Sequence, residues 1–493
     1  MTGRPFPPGR YPLVVVGSGP GGLQVSYWLR RLGVEHAVLS SDPEPGGMFL
    51  QYPLFQRLNT WSKPYATPER GTRSYDWYDW NSLVGDEPAH CSLVLEFMDG
   101  TSYFPARREM AAALGAFAKR AGISVRYGCR WEATLRESEG FVLVTNDGEY
   151  TSPLVIFAVG MAQPWKPDIP GMELVPHYVA TQPARAYAGK RVFVIGKRNS
   201  GFEVADALLP WARQIVLGSP RPPVISVLSG GAGVRAKYLV PYEDHIIGGG
   251  VFILDVTIER IERAGENWRV VTSGQKTGPR TFTVDEVIAA TGFGTPLRDL
   301  PSIGVTTFSQ GRLPRQTPLW ESATVPGIYF AGAITQGAIG LRKFGHPGNS
   351  AAVAGFRHNG RVLAEHLAHT YFNVAHPHRA LRADEVVPYL LAEATRGSEL
   401  WNQQGYLARL VTFDAERGCV DDGIIPLPAF VDAPGPDAVA IAVETDPNGD
   451  HHPTAYIRRE GRVSEHAIPT DPLLNFETDR HEKELSEVLK GLL

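Results

Sequence analysis

The chain has 493 residues, a formal net charge of −4, 43% hydrophobic and 20% charged residues, a length that calls for two or three domains. There is no basic-aromatic patch, no apolar run near the ~18 residues of a membrane span and no apolar leader, so no nucleic acid, no membrane and a cytoplasmic location are expected. The three cysteines, Cys91, Cys129 and Cys419, form no CxxC pair, which fits a reducing compartment and argues against thiol–disulfide exchange.

Near the N-terminus the apolar run Leu13-Val14-Val15-Val16 leads into Gly17-Ser18-Gly19-Pro20-Gly21-Gly22. Gly17 allows a tight exit from a strand, Gly19 lets the backbone approach a pyrophosphate, and Gly22 lets the next helix pack on the strand. The spacing of Val25, Trp28, Leu29 and Leu32 predicts that helix, Gly33 its stop, and Ala37-Val38-Leu39 a second strand. The acidic residue that normally closes the second strand and binds ribose hydroxyls is replaced by Ser40. Asp42 either stands in for it or caps a turn before Pro43.

An aromatic, proline-rich segment, residues 46–88, interrupts this unit. Its aromatics Trp61, Tyr65, Tyr75, Trp77, Tyr78 and Trp80 suit either a water-excluding wall or a loop that supplies its own core. A helix is predicted over 107–121, with strands at 124–127 and 141–144 and a buried strand returning at 154–160. A second glycine turn, Gly196-Lys197-Arg198-Asn199-Ser200-Gly201, follows Val192-Phe193-Val194-Ile195. Arg198 occupies the middle glycine's place, where it either binds phosphate or narrows the site. The strand 214–217 runs toward Arg221, which suits an adenosine 2′-phosphate, so NADPH is expected over NADH. The strand and turn around Thr291 and Gly292 echo 154–160, and the chain returns through 327–332. Beyond 373 the composition changes, with a short apolar strand at 439–443 and a C-terminal helix over 480–492. His366, His369, His376 and His378 lack a recognisable ligand spacing, so no metal is expected.

The order of the first turn, Gly46-Gly47-Met48-Phe49, the Asn199-Ser200-Gly201 turn and Ala290-Thr291-Gly292-Phe293 resembles class B flavin-dependent monooxygenases over residues 11–370. The resemblance implies FAD at Gly17, Gly19, Gly22, Asp42, Gly46, Gly47, Met48, Phe49 and Gly332. It implies NADPH at Gly196, Arg198, Asn199, Ser200, Gly201, Arg221, Thr291 and Gly292. It also implies a C4a-(hydro)peroxyflavin that oxygenates nitrogen, sulfur or a carbonyl carbon. Segments around Arg57-Leu58-Asn59, Asp79, Asn81 and Val234-Arg235-Ala236 are similar to a narrower group. That group contains lumenal FAD oxidoreductases of animal cells and bacterial amino-acid N-oxygenases that form nitrosuccinate.

Gly332-Ala333 replaces the Gly-Asp pair of disulfide reductases, and His177 lies two places late for a Baeyer–Villiger signature. N-oxygenation of a small amine or amino acid, with O2 as co-substrate, is therefore expected; the alternative is a flavin reductase or oxidase of the same fold without oxygenation, or an S- or Baeyer–Villiger-type oxygenase. Asn59 is the expected catalytic amide, able to donate to a peroxide and accept from an amine. Lys63, Arg235, Lys237, Arg342 and Lys343 are the candidate cations for a carboxylate. The expected fold class is α/β: an FAD domain (1–177 and 296–372), an NADPH domain (178–295) inserted in it, both Rossmann-like, and a smaller α+β region (373–493). A homo-oligomer is left open.

Overall fold

The computed structural model describes residues 4–493 except 52, 54–55, 227–232, 277, 339, 342, 344–347 and 415. Two parallel sheets are built on the same plan. The first orders Ile328–Phe330, Val155–Phe157, Val14–Val16, Ala37–Ser40 and Arg126–Tyr127 side by side. The second orders Val251–Asp255, Gln214–Ser219, Arg191–Ile195 and Glu286–Ala289. Pleating sends alternate residues to opposite faces, and both faces are covered. In the first sheet Leu13 and Val15 enter the helical core, while Val14 and Val16 pack under an antiparallel sheet that includes Trp131–Glu137, Gly140–Thr145 and Gly148–Ser152. In the second, Val192 and Val194 face the helix Asn199–Leu208. Phe193 and Ile195 face the antiparallel strands Thr257–Ala264, Asn267–Ser273 and Arg280–Val284. Fully covered strands of this kind are continuously apolar, which is why both were legible.

The second sheet is inserted between strands of the first. Its two connections run antiparallel to each other, Gln163–Pro164 against Phe293–Gly294. His177 fastens this joint: its Nε2–H donates to the Gly292 carbonyl at 3.0 Å, and its Nδ1 accepts from Val179 N–H at 3.4 Å.

The C-terminal region is larger in structure than its one expected strand. Six antiparallel strands form it, ordered Arg379–Leu381, Gly418–Pro426, Leu407–Asp414, Ala438–Thr445, His451–Arg459 and Arg462–Ala467. Helices Ala383–Arg396 and Asp479–Leu489 cover one face, with Leu485 and Leu489 fully buried on their own domain. Its apolar face continues the core of the long helix Val353–Phe372.

That long helix joins three parts of the molecule. It packs against Pro20–Arg31, where a Cβ on Gly360 would come within 3.1 Å of Gln24 Cγ. Gln24 pins the interrupting segment by donating to the Val84 carbonyl and accepting from its N–H, at 2.8 and 2.9 Å. Arg357, fully buried, donates to the carbonyls of Asp76, Asp79 and Ser82, each at 2.6 Å. Asp76 beside it is buried enough that its carboxyl is pushed up to about 7. Arg73 then ties the segment to the C-terminal region through Glu393 and Glu399.

Arg357→Met keeps the apolar stem and removes the three charge-assisted bonds. It is expected to lower stability by about 3 kcal/mol or more and to expose residues 61–90 to protease, read from the urea midpoint and the cleavage map.

Candidate active site

Both glycine turns obey one steric rule. Gly17 has φ +115°, and a Cβ there would lie 2.5 Å from the Ala158 carbonyl oxygen; a Cβ on Gly22 would lie 2.0 Å from Gly17 O. At the second turn Gly196 has φ +125° and meets Ala290 O at 2.3 Å, and Gly201 meets Gly196 O at 2.3 Å. Each helix thus starts directly against its strand, with its first N–H groups free to meet an anion. Neither helix has a side-chain cap. Sequence reasoning passed over Gly21, whose Cβ would meet Gly332 Cα at 2.3 Å. This contact presses the turn after Ile328–Phe330 against the first helix, and its signal was the doubled glycine.

A cavity of about 980 Å³ opens from the first turn, at the upper end for cofactor sites. It is lined by Gly17, Gly19, Asp42, Gly47, Met48, Phe49 and Gly332, then by Asn59, and finally by Asn199 and Ser200 of the second turn. Gly46, at φ +147°, shapes the turn without lining the cavity. Asp42 is held beside the position vacated by the usual acid: its N–H donates to Ser40 Oγ at 3.2 Å, and Ser40 and Ser18 share a 2.8 Å bond. Burial raises the Asp42 carboxyl above its ordinary range, with the Ser40 bond opposing. The N-terminal residues of the long helix, Ala352 and Val353, close the cavity from the other side, again without a side-chain cap. Two bare helix ends and a glycine cradle that no Cβ could share fit a dinucleotide at the first turn.

Asn59 sits midway. Its amide has no hydrogen-bond partner among the described residues. Its neighbours are rigidly held instead. Asn81 accepts from Thr60 Oγ1 at 2.6 Å and donates to the Thr60 carbonyl at 3.2 Å, and buried Asp79 accepts from Ser62 Oγ. Of the six aromatics in this segment, Trp80 lines the cavity, packed on Trp61 with ring centroids 4.4 Å apart and the planes tilted by 31°. Trp77 packs on Trp401 of the C-terminal region, and Tyr65 is 89% exposed.

The candidate cations separate. Arg235 lines the cavity, half-buried, with its N–H donating to Asn199 Oδ1 at 2.9 Å and its guanidinium without a partner among the described residues. Lys237 does not line it: its ammonium donates to the carbonyls of Arg57 and Leu58. Lys343 is tied to Glu444 at 3.0 Å and to Glu465 in the C-terminal sheet. Lys63 is exposed, 5.6 Å from the Tyr78 ring centre. These three ammoniums are thus committed elsewhere or turned to solvent, and are placed away from the expected substrate role. Arg342 lies outside the described residues. Arg198 and Arg221 are exposed and do not line the cavity. Thr291 Oγ1 donates to the Trp165 carbonyl, so Thr291 and Gly292 build the joint between the domains.

Two glycine turns of this form, each opening a parallel sheet and sharing one cavity, define a doubly Rossmann-like protein. A family model described as pyridine nucleotide-disulphide oxidoreductase matches residues 14–332, and the chain belongs to that family of flavin-dependent oxidoreductases. FAD-dependent oxidoreductase domain-containing protein 2 of Danio rerio is 24% identical over 460 residues, covering 80% of this chain and 64% of the relative. The chain thus spans less than two thirds of that protein's own length. Among solved structures, a bacillithiol disulfide reductase from Staphylococcus aureus superposes with TM-score 0.57 at 17% identity, over 73% of this chain and 99% of that one. A flavin-containing monooxygenase from Stenotrophomonas maltophilia gives 0.55 at 20%, over 73% and 98%. The fold is therefore shared by reductases and monooxygenases. No helix among the described residues is long and apolar enough to cross a membrane.

Gly21→Ala is expected to push the turn at Gly332 out of register and yield protein with little visible flavin absorbance. Gly115→Ala, in open space on a helix, should keep the flavin and stabilise slightly, by under about 1 kcal/mol.

Proposed function

We propose that the chain is an FAD- and NADPH-dependent monooxygenase that oxygenates the nitrogen of a small amine, with an amino acid as the favoured substrate class. The observation that carries this reading is the continuity of the cavity from the first turn, past Asn59, to Asn199 and Ser200. FAD is assigned to the cradle of Gly17, Gly19, Gly22, Gly47 and Gly332, with Asp42 at its ribose end. NADPH is assigned to Gly196, Asn199, Ser200 and Gly201. Arg198, in the second turn, and Arg221, just past the strand Gln214–Ser219, are both exposed and support a 2′-phosphate and so NADPH over NADH. The assignments follow a division at residues 177, 295 and 372.

Bound FAD would supply hydride acceptance from the nicotinamide and, once reduced, reaction with O2. The chain's own residues do the rest. Trp80 and Phe49 wall the cavity with apolar surface and limit water. The Asn59 amide can donate to an oxygen and accept from an amine at the same point. The Arg235 guanidinium offers a planar fork to a carboxylate. The three free cysteines are separate: burial pushes the Cys91 thiol up to about 11, and Cys419 lies in the C-terminal sheet. That separation supports oxygenation over disulfide exchange.

Asn59→Ala should retain NADPH oxidation while its product shifts to hydrogen peroxide, measured by peroxide released per NADPH consumed. Arg235→Gln should raise the apparent constant for an amino acid about tenfold, the loss of one charge-assisted bond, with that for NADPH little changed. The decisive assay incubates the protein, NADPH and O2 with amino acids, simple amines, thioethers and ketones. Hydroxylamine, nitroso or nitro products support the reading. Sulfoxides or lactones with amines untouched overturn it, and NADPH consumption with no oxygenated product assigns a reductase or oxidase.

A further inference from the structure

Three elements of the inserted domain converge on residues 56–60. Helix Asn199–Leu208 brings Glu203, 7% exposed. The turn Tyr178–Ala180 brings Tyr178, whose hydroxyl donates to one Glu203 carboxylate oxygen at 2.5 Å. The turn Ala236–Tyr238 brings Lys237 and Tyr238. The Tyr238 hydroxyl lies 3.0 Å from the second Glu203 oxygen and 3.3 Å from the Arg57 carbonyl. Lys237 Nζ donates to the Arg57 carbonyl at 3.0 Å and to that of Leu58. Glu203, Tyr178, Tyr238 and Asn59 all line the cavity.

A phenol has a single proton, so Tyr238 cannot serve both acceptors at once. While Glu203 is ionised, the charge-assisted bond to its carboxylate prevails, and Lys237 alone holds the Arg57 carbonyl. When Glu203 takes a proton from solvent, its own O–H can donate to the Tyr238 oxygen. The phenol proton is then released to Arg57. The carbonyls so gripped belong to the two residues immediately before Asn59.

We propose that Glu203, acting through Tyr238, is a positioning residue for Asn59: the inserted domain grips residues 57–58 with two donors when Glu203 is protonated and with one when it is ionised. The functional meaning rests on the role given to Asn59 above. Burial pushes the Glu203 carboxyl up to about 7, opposed by the hydroxyls of Tyr178 and Tyr238, the charge of Lys237 and the amide of Gln56. Burial pushes Lys237 down to about 8; Glu203 and Asp206 oppose this, while Arg57 and Arg235 add to it. Asp206, on the same helix, is itself raised by burial. Rising pH therefore ionises Glu203 before Lys237 loses its charge, and the grip weakens through the neutral range.

The test is hydrogen–deuterium exchange of peptides covering 56–60 in the full chain, corrected for intrinsic exchange, between pH about 6 and about 7.5. The wild type is expected to lose protection by about threefold or more as pH rises, with the helix Arg107–Arg120 as an unchanging reference. Glu203→Gln should hold protection level across that range. Tyr238→Phe should hold it level at a lower value, because Lys237 still grips. A wild type without the step, or a step that survives either substitution, overturns the proposal; a merely scaffolding role would lower protection and leave the step. In parallel, peroxide released per NADPH should rise with pH in the wild type and not in the variants. A protection step without flavin reduction by NADPH supports the grip and removes the monooxygenase reading. Flavin reduction without the step removes the grip alone.

Discussion

At both turns a helix leaves its strand so closely that backbone rests on backbone with no room for a side-chain carbon. Gly22 over the Gly17 carbonyl and Gly201 over the Gly196 carbonyl are the same contact made twice. Everything else is referred to it. The first contact fixes helix Pro20–Arg31; that helix receives Val353–Phe372 across Gly360, and Arg357 on the second helix collects the carbonyls of residues 76, 79 and 82. From there Asp79 and Asn81 hold Ser62 and Thr60, and Asn59 is left facing the cavity on a segment it does not itself secure. An unpartnered polar group can keep its place only where its supports are this closely determined.

The joint between the two parallel sheets is built differently. Two short antiparallel strands, the His177 bond to Gly292 and the contacts of Lys237 and Tyr238 with Arg57 make up much of it. These are polar contacts, several to backbone carbonyls, and such an interface permits rotation more readily than an apolar one. Arg235 stands on this joint, reached by Asn199 from the second turn and open to the cavity. The second turn is thus linked through Arg235 to the turn Ala236–Tyr238, whose Lys237 and Tyr238 contact the segment before Asn59.

The buried parallel strands and their glycine turns were readable because steric exclusion and full burial leave few residue choices. Val14–Val16, Arg191–Ile195 and both following helices appear where periodicity put them. The C-terminal sheet was under-read for the opposite reason. Strands such as Gly418–Pro426 mix charged and apolar residues, because the ion pairs of Arg409 with Glu393 and Asp421 are set among apolar residues such as Val411 and Ile424. Cation roles were the least legible. Lys237 and Lys343 look alike in sequence to Arg235, and only the fold shows that backbone carbonyls claim one and carboxylates the other. Glu203 was given no role because a glutamate four residues into a helix is ordinary until two tyrosines from distant segments close on it.

The link between Arg73 and Glu399 joins residues 326 positions apart. Contacts so remote in sequence form only after most of the chain is available. During synthesis the inserted sheet, whose strands all lie between 191 and 289, has its partners long before the wall around Asn59 does. That wall waits for the long helix to supply Arg357 and for residues 383–402 to supply Glu393 and Glu399. The wall of the cavity around Asn59 is thus among the last parts to be assembled, and a chain interrupted before its C-terminal sheet would present both glycine turns beside an unfinished chamber.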